Sequence, residues 1–203
     1  MEFLYNWMKY QEEIIYYDFE TTGLNQYHDK IIEYAFIKNE ESLSSLIDPE
    51  TELTPKIQKI TNITDDMLKN QPKIWTELPK IIKFINKNKN NSKYLIAHNN
   101  DGFDKIFLIN LFNKYDYDYK KFNLYFIDTL LLAKKILPNI PSYSLKSLLI
   151  YFKIESKNLH RAHNDILALK LVYQKLCGIL HEKINIEYQT LIDTPSIVYD
   201  YLY

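Results

Sequence analysis

The run Ile14-Ile15-Tyr16-Tyr17-Asp18-Phe19 constrains the fold more than any other stretch of the chain. Apolar, β-branched and aromatic side chains in near-unbroken succession read as a central β-strand. Two carboxylates, Asp18 and Glu20, nevertheless stand at its end, followed by Thr21-Thr22-Gly23. Alternate residues of a strand share a face, so both acids project on the same side of whatever sheet this strand enters.

The rest of the chain supplies the sheet and its cover. Ile31–Ile37 and Ser42–Ile47 read as a second and a weaker third strand, and Tyr94–Ala97 and Leu124–Ile127 as two more. Helical patterns fall between and after them: Lys56–Ile60, a turn opened by Thr64-Asp65-Asp66, Trp75–Asn86, Asp101–Phe112, Leu130–Ile136, Ser144–Phe152, and about His163 to Leu180. A β-meander followed by strands alternating with helices predicts an α/β fold, a mixed five-stranded sheet flanked by helices in a single domain. With 203 residues the chain is long enough for one sizeable core. The Tyr-rich stretch from Asn185 to Tyr203 has no clear place in this pattern, either as a segment packed on the body or as a docking tail.

Composition narrows the function classes. No apolar run approaches the length of a membrane span, about 18 residues or more, and the first residues lack the basic start and apolar core of a secretory leader. The single cysteine, Cys177, has no internal disulfide partner, fits a reducing compartment, and reads as a buried helix residue. The expected location is intracellular, in cytoplasm or nucleus. A net charge of −1 excludes a protein that coats nucleic acid electrostatically. The nine lysines between Lys80 and Lys121, against four aspartates, read either as solvated helix faces or as a shallow basic rim.

Four acids stand where acids need a reason. Besides Asp18 and Glu20, Asp104 opens a helix beside Phe103 and Ile106-Phe107-Leu108, and Asp165 precedes Ile166-Leu167-Ala168-Leu169. Singly, each helix acid would be a first-turn residue favoured by the helix dipole. Together, carboxylates set against core elements are costly unless paired or bound to a cation, and no matching Arg or Lys stands with them. Hard oxygen donors of this kind suit Mg²⁺ or Mn²⁺.

These residues carry a family resemblance. Asp18-Phe19-Glu20-Thr21-Thr22-Gly23-Leu24 resembles the first motif of the DEDDh (DnaQ-like) 3′–5′ exonucleases. Ala97-His98-Asn99-Asn100-Asp101-Gly102-Phe103-Asp104 resembles the second, and His160-Arg161-Ala162-His163-Asn164-Asp165 the third. The tyrosine-using branch would place Tyr where Arg161 stands, so the histidine branch is the closer one. Ser142–Leu148, Asp165–Leu169 and Ala97–Asp101 are similar to the three-prime repair exonuclease (TREX-like) subgroup. Ile60-Thr61-Asn62-Ile63-Thr64 resembles the family's Ile-Thr-Gly segment with Asn62 for Gly, and Asn tolerates a positive φ better than most residues.

The resemblance implies an RNase H-like exonuclease domain over residues 1–181, with 182–203 as a C-terminal extension. It implies hydrolysis assisted by two divalent cations about 4 Å apart, with Asp18, Glu20, Asp104 and Asp165 as metal ligands and His160 as general base. Thr21, Thr22 and Gly23 would approach the 3′ end of a single strand, Leu24 would wedge against the last base with Ile63 as partner, and His98 and Asn99 would lie along the strand. Asp128 would hold a supporting or capping place rather than a metal. The expected substrate is a single-stranded or frayed DNA 3′ end, cut to nucleoside 5′-monophosphates. The alternatives are an exoribonuclease of the oligoribonuclease or RNase T type and a non-catalytic polymerase-binding module. A homodimer is expected by resemblance alone.

Overall fold

A computed structural model describes residues 11–155 and 161–203. The chain opens with the anticipated strand, β1 (Glu12–Thr21), and folds back through β2 (Ile31–Lys38) and β3 (Glu41–Leu46) as an antiparallel meander. Three helices follow, α1 (Pro55–Thr61), α2 (Asp65–Leu68) and α3 (Ile74–Ile85). Thr54 and Thr64 cap the first two through their side-chain oxygens. The crossover delivers β4 (Ser92–Ala97) parallel to β1, and α4 (Asp104–Lys114) leads to β5 (Leu124–Asp128), parallel to β4. The sheet order is β3-β2-β1-β4-β5, which puts the acid-bearing strand at the centre. Helices α5 (Thr129–Ile136), α6 (Leu145–Tyr151), α7 (Ala162–Ile184), α8 (Tyr188–Asp193) and α9 (Pro195–Leu202) complete the described chain.

Strand alternation divides the core in two. Ile15, Tyr17 and Phe19 pack with Phe36, Leu95, Phe107 and Phe112 beneath α3 and α4. Tyr16 faces the other way, with Ala35, Ile96 and the buried stripe of α7 that includes Tyr173 and Cys177. Asp18 and Glu20 therefore lie on the α7 side, where that apolar layer runs out. A register shift between Glu20 and Thr21 leaves Ile32 over as the extra residue of β2, since Glu20 pairs with Glu33 and Thr21 with Ile31. Bulges of this kind locally disrupt the ladder, and here pairing resumes at Thr21–Ile31 and continues through the Thr22 N–H to the Lys30 carbonyl.

Two departures from the sequence-based expectation have local causes. The helix expected from Asp101 begins at Asp104, because Asn99 is left-handed, residues 100–102 form a single 3-10 turn, and Phe103 sits at φ −145°, ψ −82°. The C-terminal stretch packs on the body. Leu191 and Val198 are fully buried, Tyr199 packs edge-on against Tyr94 and Tyr125, and the Ser196 N–H donates to Glu12. Helix α7 runs without a break through position 181, and the segment after it is docked. With only three glycines, the chain relies on asparagine for left-handed backbone: Asn39, Asn62, Asn70, Asn99, Asn123 and Asn185 all have positive φ. Asn62, at φ 56°, ends α1 as the sequence anticipates. Among the described residues no helix is long and apolar enough to cross a membrane.

One buried polar contact joins three strands. Asn100 is inaccessible to solvent. Its amide donates to the carbonyls of Leu95 and Ile127, each at 3.0 Å, and its oxygen accepts from the Tyr17 hydroxyl. Removing one partner of a buried hydrogen bond strands the other. Tyr17→Phe is expected to lower unfolding free energy by about 1–3 kcal/mol, measured by urea denaturation, with the far-UV circular dichroism of the native state unchanged.

Candidate metal centre

Acids far apart in the sequence meet at one place. Carboxylate oxygens of Asp18, Glu20 and Asp165 lie within 4.8 Å of one another. β1 supplies the first two from one face, and α7 supplies the third from its first turn. Asp104 approaches from the other side of β1. The pairing of β1 with β4 ends at Tyr16–Ile96, and beyond it the Phe19 N–H is taken by Asp104 at 3.1 Å. Asp104 is 2% and Asp165 9% exposed, and Asp18 and Glu20 are half-buried. The acids thus meet in a place with little water to screen them.

The electrostatic consequence is severe. Withdrawal from water and the neighbouring charges of Asp104, Glu20 and Asp165 hold the Asp18 carboxyl well above the ordinary carboxylate range. Glu20 is pushed up to about 8, chiefly by burial and then by Asp165 and Glu33, with Arg161 pulling the other way. Burial pushes Asp104 up to about 8 as well, against the opposing pull of the Phe19 N–H. Arg161 is itself engaged, by Glu33 at 2.8 Å. A donor set of hard oxygens, mutually repelling and set against core, is one that a divalent cation would stabilise.

The loops around the acids are tightly wired. Asp128, buried at the end of β5, caps α5 through the Leu130 N–H and also accepts from the N–H groups of Asn99 and Asp101. This is the capping place expected of it, and it holds Asn99 exposed at the rim. His98 points inward: its ring nitrogen meets the Thr129 hydroxyl at 3.0 Å, and burial holds its pKa down. Across the site, the Thr22 N–H donates to the Lys30 carbonyl, and the Thr22 hydroxyl accepts from the Lys30 N–H and donates to Asp29. A Cβ on Gly23 would stand 2.5 Å from that same Asp29 carboxylate, so it is the loop's own side chain that requires glycine there. The Thr21 side chain turns back to the Gly23 carbonyl. Gln26 bridges the two loops by donating to the Gly102 carbonyl. Leu24 stands 80% exposed on this framework.

Leu24 and Ile63, expected to act together, differ in exposure. Ile63 is fully buried among Ile32, Leu53 and Leu68, because the residue left over at the β2 bulge points into that small cluster and recruits it. Of the nine lysines, Lys93 is buried, and Lys80, Lys87, Lys105 and Lys121 pair with nearby acids. His160, the expected base, lies outside the described residues. Sequence reading missed Glu33 and Arg161, although the acid inside the apolar run Ile31-Ile32-Glu33-Tyr34 is the same kind of signal that drew attention to Asp18. A cleft of about 520 Å³ lies away from the acids, on the face covered by α3 and α4, lined by Tyr27, Ile31, Trp75 and Phe107.

With this geometry in hand, the chain can be set beside known proteins. Residues 15–173 match the RNase T family, described as exonuclease. The DNA polymerase III epsilon subunit of Aquifex aeolicus is 31% identical over 174 residues, covering 83% of this chain and 82% of that protein. The PolC-type DNA polymerase III of Clostridium perfringens is 31% identical over 176 residues, but the chain spans only 12% of that protein's length. Among solved structures, a zinc-bound complex of E. coli exonuclease I with single-stranded DNA superposes with a TM-score of 0.73 at 20% identity, covering 90% of this chain and 43% of that one. That likeness is one of fold, the RNase H-like exonuclease architecture.

The raised carboxyls give the metal-free chain a distinctive pH response. Glu20 and Asp104 ionise near about 8 when folded and near 4.5 and 3.8 when unfolded. Between these limits the folded state binds more protons, so stability falls as pH rises through the window. Thermal melting in EDTA is expected to give a higher Tm near pH 5 than near pH 8, with a shallower slope for Glu20→Gln. A Tm that climbs across that window would contradict the raised carboxyls.

Proposed function

This chain belongs to the RNase T exonuclease family, and from that premise we propose that it removes nucleotides one at a time from single-stranded or frayed 3′ ends of DNA, releasing nucleoside 5′-monophosphates with the help of two Mg²⁺ or Mn²⁺ ions. The observation that carries this reading is the convergence of Asp18, Glu20 and Asp165, with Asp104 beside them, at the end of the central strand. Four acids clustered at this cost to the apo fold need a cationic partner, and a scaffold has no use for them.

In this reading Asp18, Glu20, Asp104 and Asp165 would hold the cations through hard oxygen donors. Bound there, such ions polarise a phosphate and lower the pKa of an attacking water. His160 would accept the proton from that water, its ordinary pKa near 6.5 suiting a base at about neutral pH. Leu24, held out from the wired loop after β1, would lie against the terminal base. Such contacts are sequence-tolerant because every base has an apolar face. Asn99, exposed on the facing loop, would touch the backbone of the same strand.

The choice of a single-stranded DNA end draws support from the relatives: the epsilon subunit is named as part of a DNA polymerase, and exonuclease I is described in complex with single-stranded DNA. The TREX-like subgroup is supported by the segments Ser142–Leu148, Ala97–Asp101 and Asp165–Leu169. RNA is the competing substrate, and telling the two apart depends on contacts to the 2′-hydroxyl.

A 5′-labelled single-stranded DNA oligonucleotide incubated with the protein and Mg²⁺ is expected to shorten in single-nucleotide steps, and EDTA to stop it. His160→Ala is expected to reduce turnover by about 10²–10⁴-fold. The matched RNA oligonucleotide is expected to be cut more slowly. Faster cutting of RNA would move the reading to an exoribonuclease, and no metal-dependent release of mononucleotides from either would overturn it.

A further inference from the structure

Glu33 stands opposite Glu20 across the β1–β2 ladder, on the face that α7 covers. It is a further acid at the crowded strand end and is 6% exposed. It is held there by several protein groups. Both carboxylate oxygens accept from Arg161 Nε at 3.2 Å, Oε1 accepts from Nη2 at 2.8 Å, and Oε2 accepts from the Ala162 N–H at 2.9 Å. The contact joins residues 128 positions apart and is largely out of solvent on the Glu33 side. It is thus unlike the local pairs Lys105–Asp101 and Lys121–Asp118 on the surface.

We propose that Glu33 is a positioning residue for the candidate metal centre, holding the Arg161 guanidinium away from Glu20 and Asp165 while fixing the first turn of α7 so that Asp165 faces Asp18. The inference rests on the exonuclease reading, since it concerns the same four acids.

Two features of the geometry support it. Arg161 is the N-cap residue of α7 but offers no side-chain cap to that helix. Glu33 does so from another strand, and a carboxylate at a helix N-terminus is favoured both by the free N–H groups and by the dipole. Asp165 follows within that first turn, its own N–H donating to the Arg161 carbonyl at 3.0 Å. The second feature is charge. A guanidinium matches a carboxylate in two-pronged geometry and stays protonated. Beside three acids it would close on one of them and occupy oxygens that a metal needs. Glu33 offers it a carboxylate outside the cluster, already aligned by the strand register.

The test is direct Mn²⁺ binding by calorimetry on the full chain, with no substrate present. Glu33→Gln is expected to weaken Mn²⁺ binding by about tenfold or more, the usual scale for groups that orient metal ligands. Glu33→Gln combined with Arg161→Gln is expected to recover most of that loss, because the misplaced cation is gone. Arg161→Gln alone is expected to bind Mn²⁺ at least as tightly as the wild type while melting at a lower temperature, and it serves as the second variant should Glu33→Gln fail to fold. Unchanged binding in Glu33→Gln, a double variant as weak as the single one, or weakened binding in Arg161→Gln each overturns the inference. A wild-type chain that takes up no Mn²⁺ overturns the exonuclease reading and this inference with it.

Discussion

Carboxylates gathered at the end of a buried strand repel one another and lose water at the same time, and the rest of this structure is arranged around that strain. Asp18, Glu20 and Asp165 come within 4.8 Å only because rigid elements hold them there. β1 is the central strand, paired on both edges and covered on both faces, so it does not yield to the repulsion. Burying a side chain of the size of Leu, Ile or Phe contributes about 1.5–3 kcal/mol. The many such residues in the two layers beneath α3–α4 and α7 are what offset the cost of the acids. The site is therefore a strained feature placed where the packing is strongest, as is common for functional sites.

The same arrangement explains why so much of the surrounding polar chemistry is turned inward. Asn100 ties the carbonyls of β4 and β5 to the hydroxyl of Tyr17 on β1, one residue before Asp18. Asp128 gathers three backbone N–H groups and gives the loop from His98 to Asp101 its shape. Asp29 organises the opposite loop through Thr22, Asn25 and the space left by Gly23. These acids and amides support the acids of the centre by fixing the backbone on either side of it. Leu24 and Asn99 reach solvent from two loops already joined through Gln26 and Gly102. A nucleic-acid end would therefore meet a preformed rim, with little ordering left to do on binding.

Charge near the centre is divided with care. Glu33 and Arg161 pair at 2.8 Å at the margin of the cluster, so the guanidinium that also acts on Glu20 is engaged by a carboxylate outside the three clustered acids. An Arg placed so close without a partner would quench the site. An unpaired Glu33 would add to the repulsion that already raises Glu20. The pair belongs to the centre's construction even though neither member stands among the clustered donors.

Much of this was legible in the chain itself. Short apolar, β-branched and aromatic runs marked the five strands, and period-3.6 patterns with capping residues marked the helices, since both depend on neighbours a few positions away. Strand alternation alone put Asp18 and Glu20 on one face. The order of the motifs, with Asp104 and Asp165 as the remaining acids, followed from resemblance. Tertiary structure decided what local pattern leaves open. It buried Ile63 in a separate cluster through the single residue left over at the β2 bulge. It turned His98 inward and spent the Thr22 N–H on Lys30. It docked the segment after Asn185 onto β4 and β5, and brought Arg161 to Glu33 across 128 positions. The physical reason is the same each time. A sequence fixes which face a side chain takes within its own element. Which long-range partner it then meets depends on how the elements pack, and no local periodicity records that.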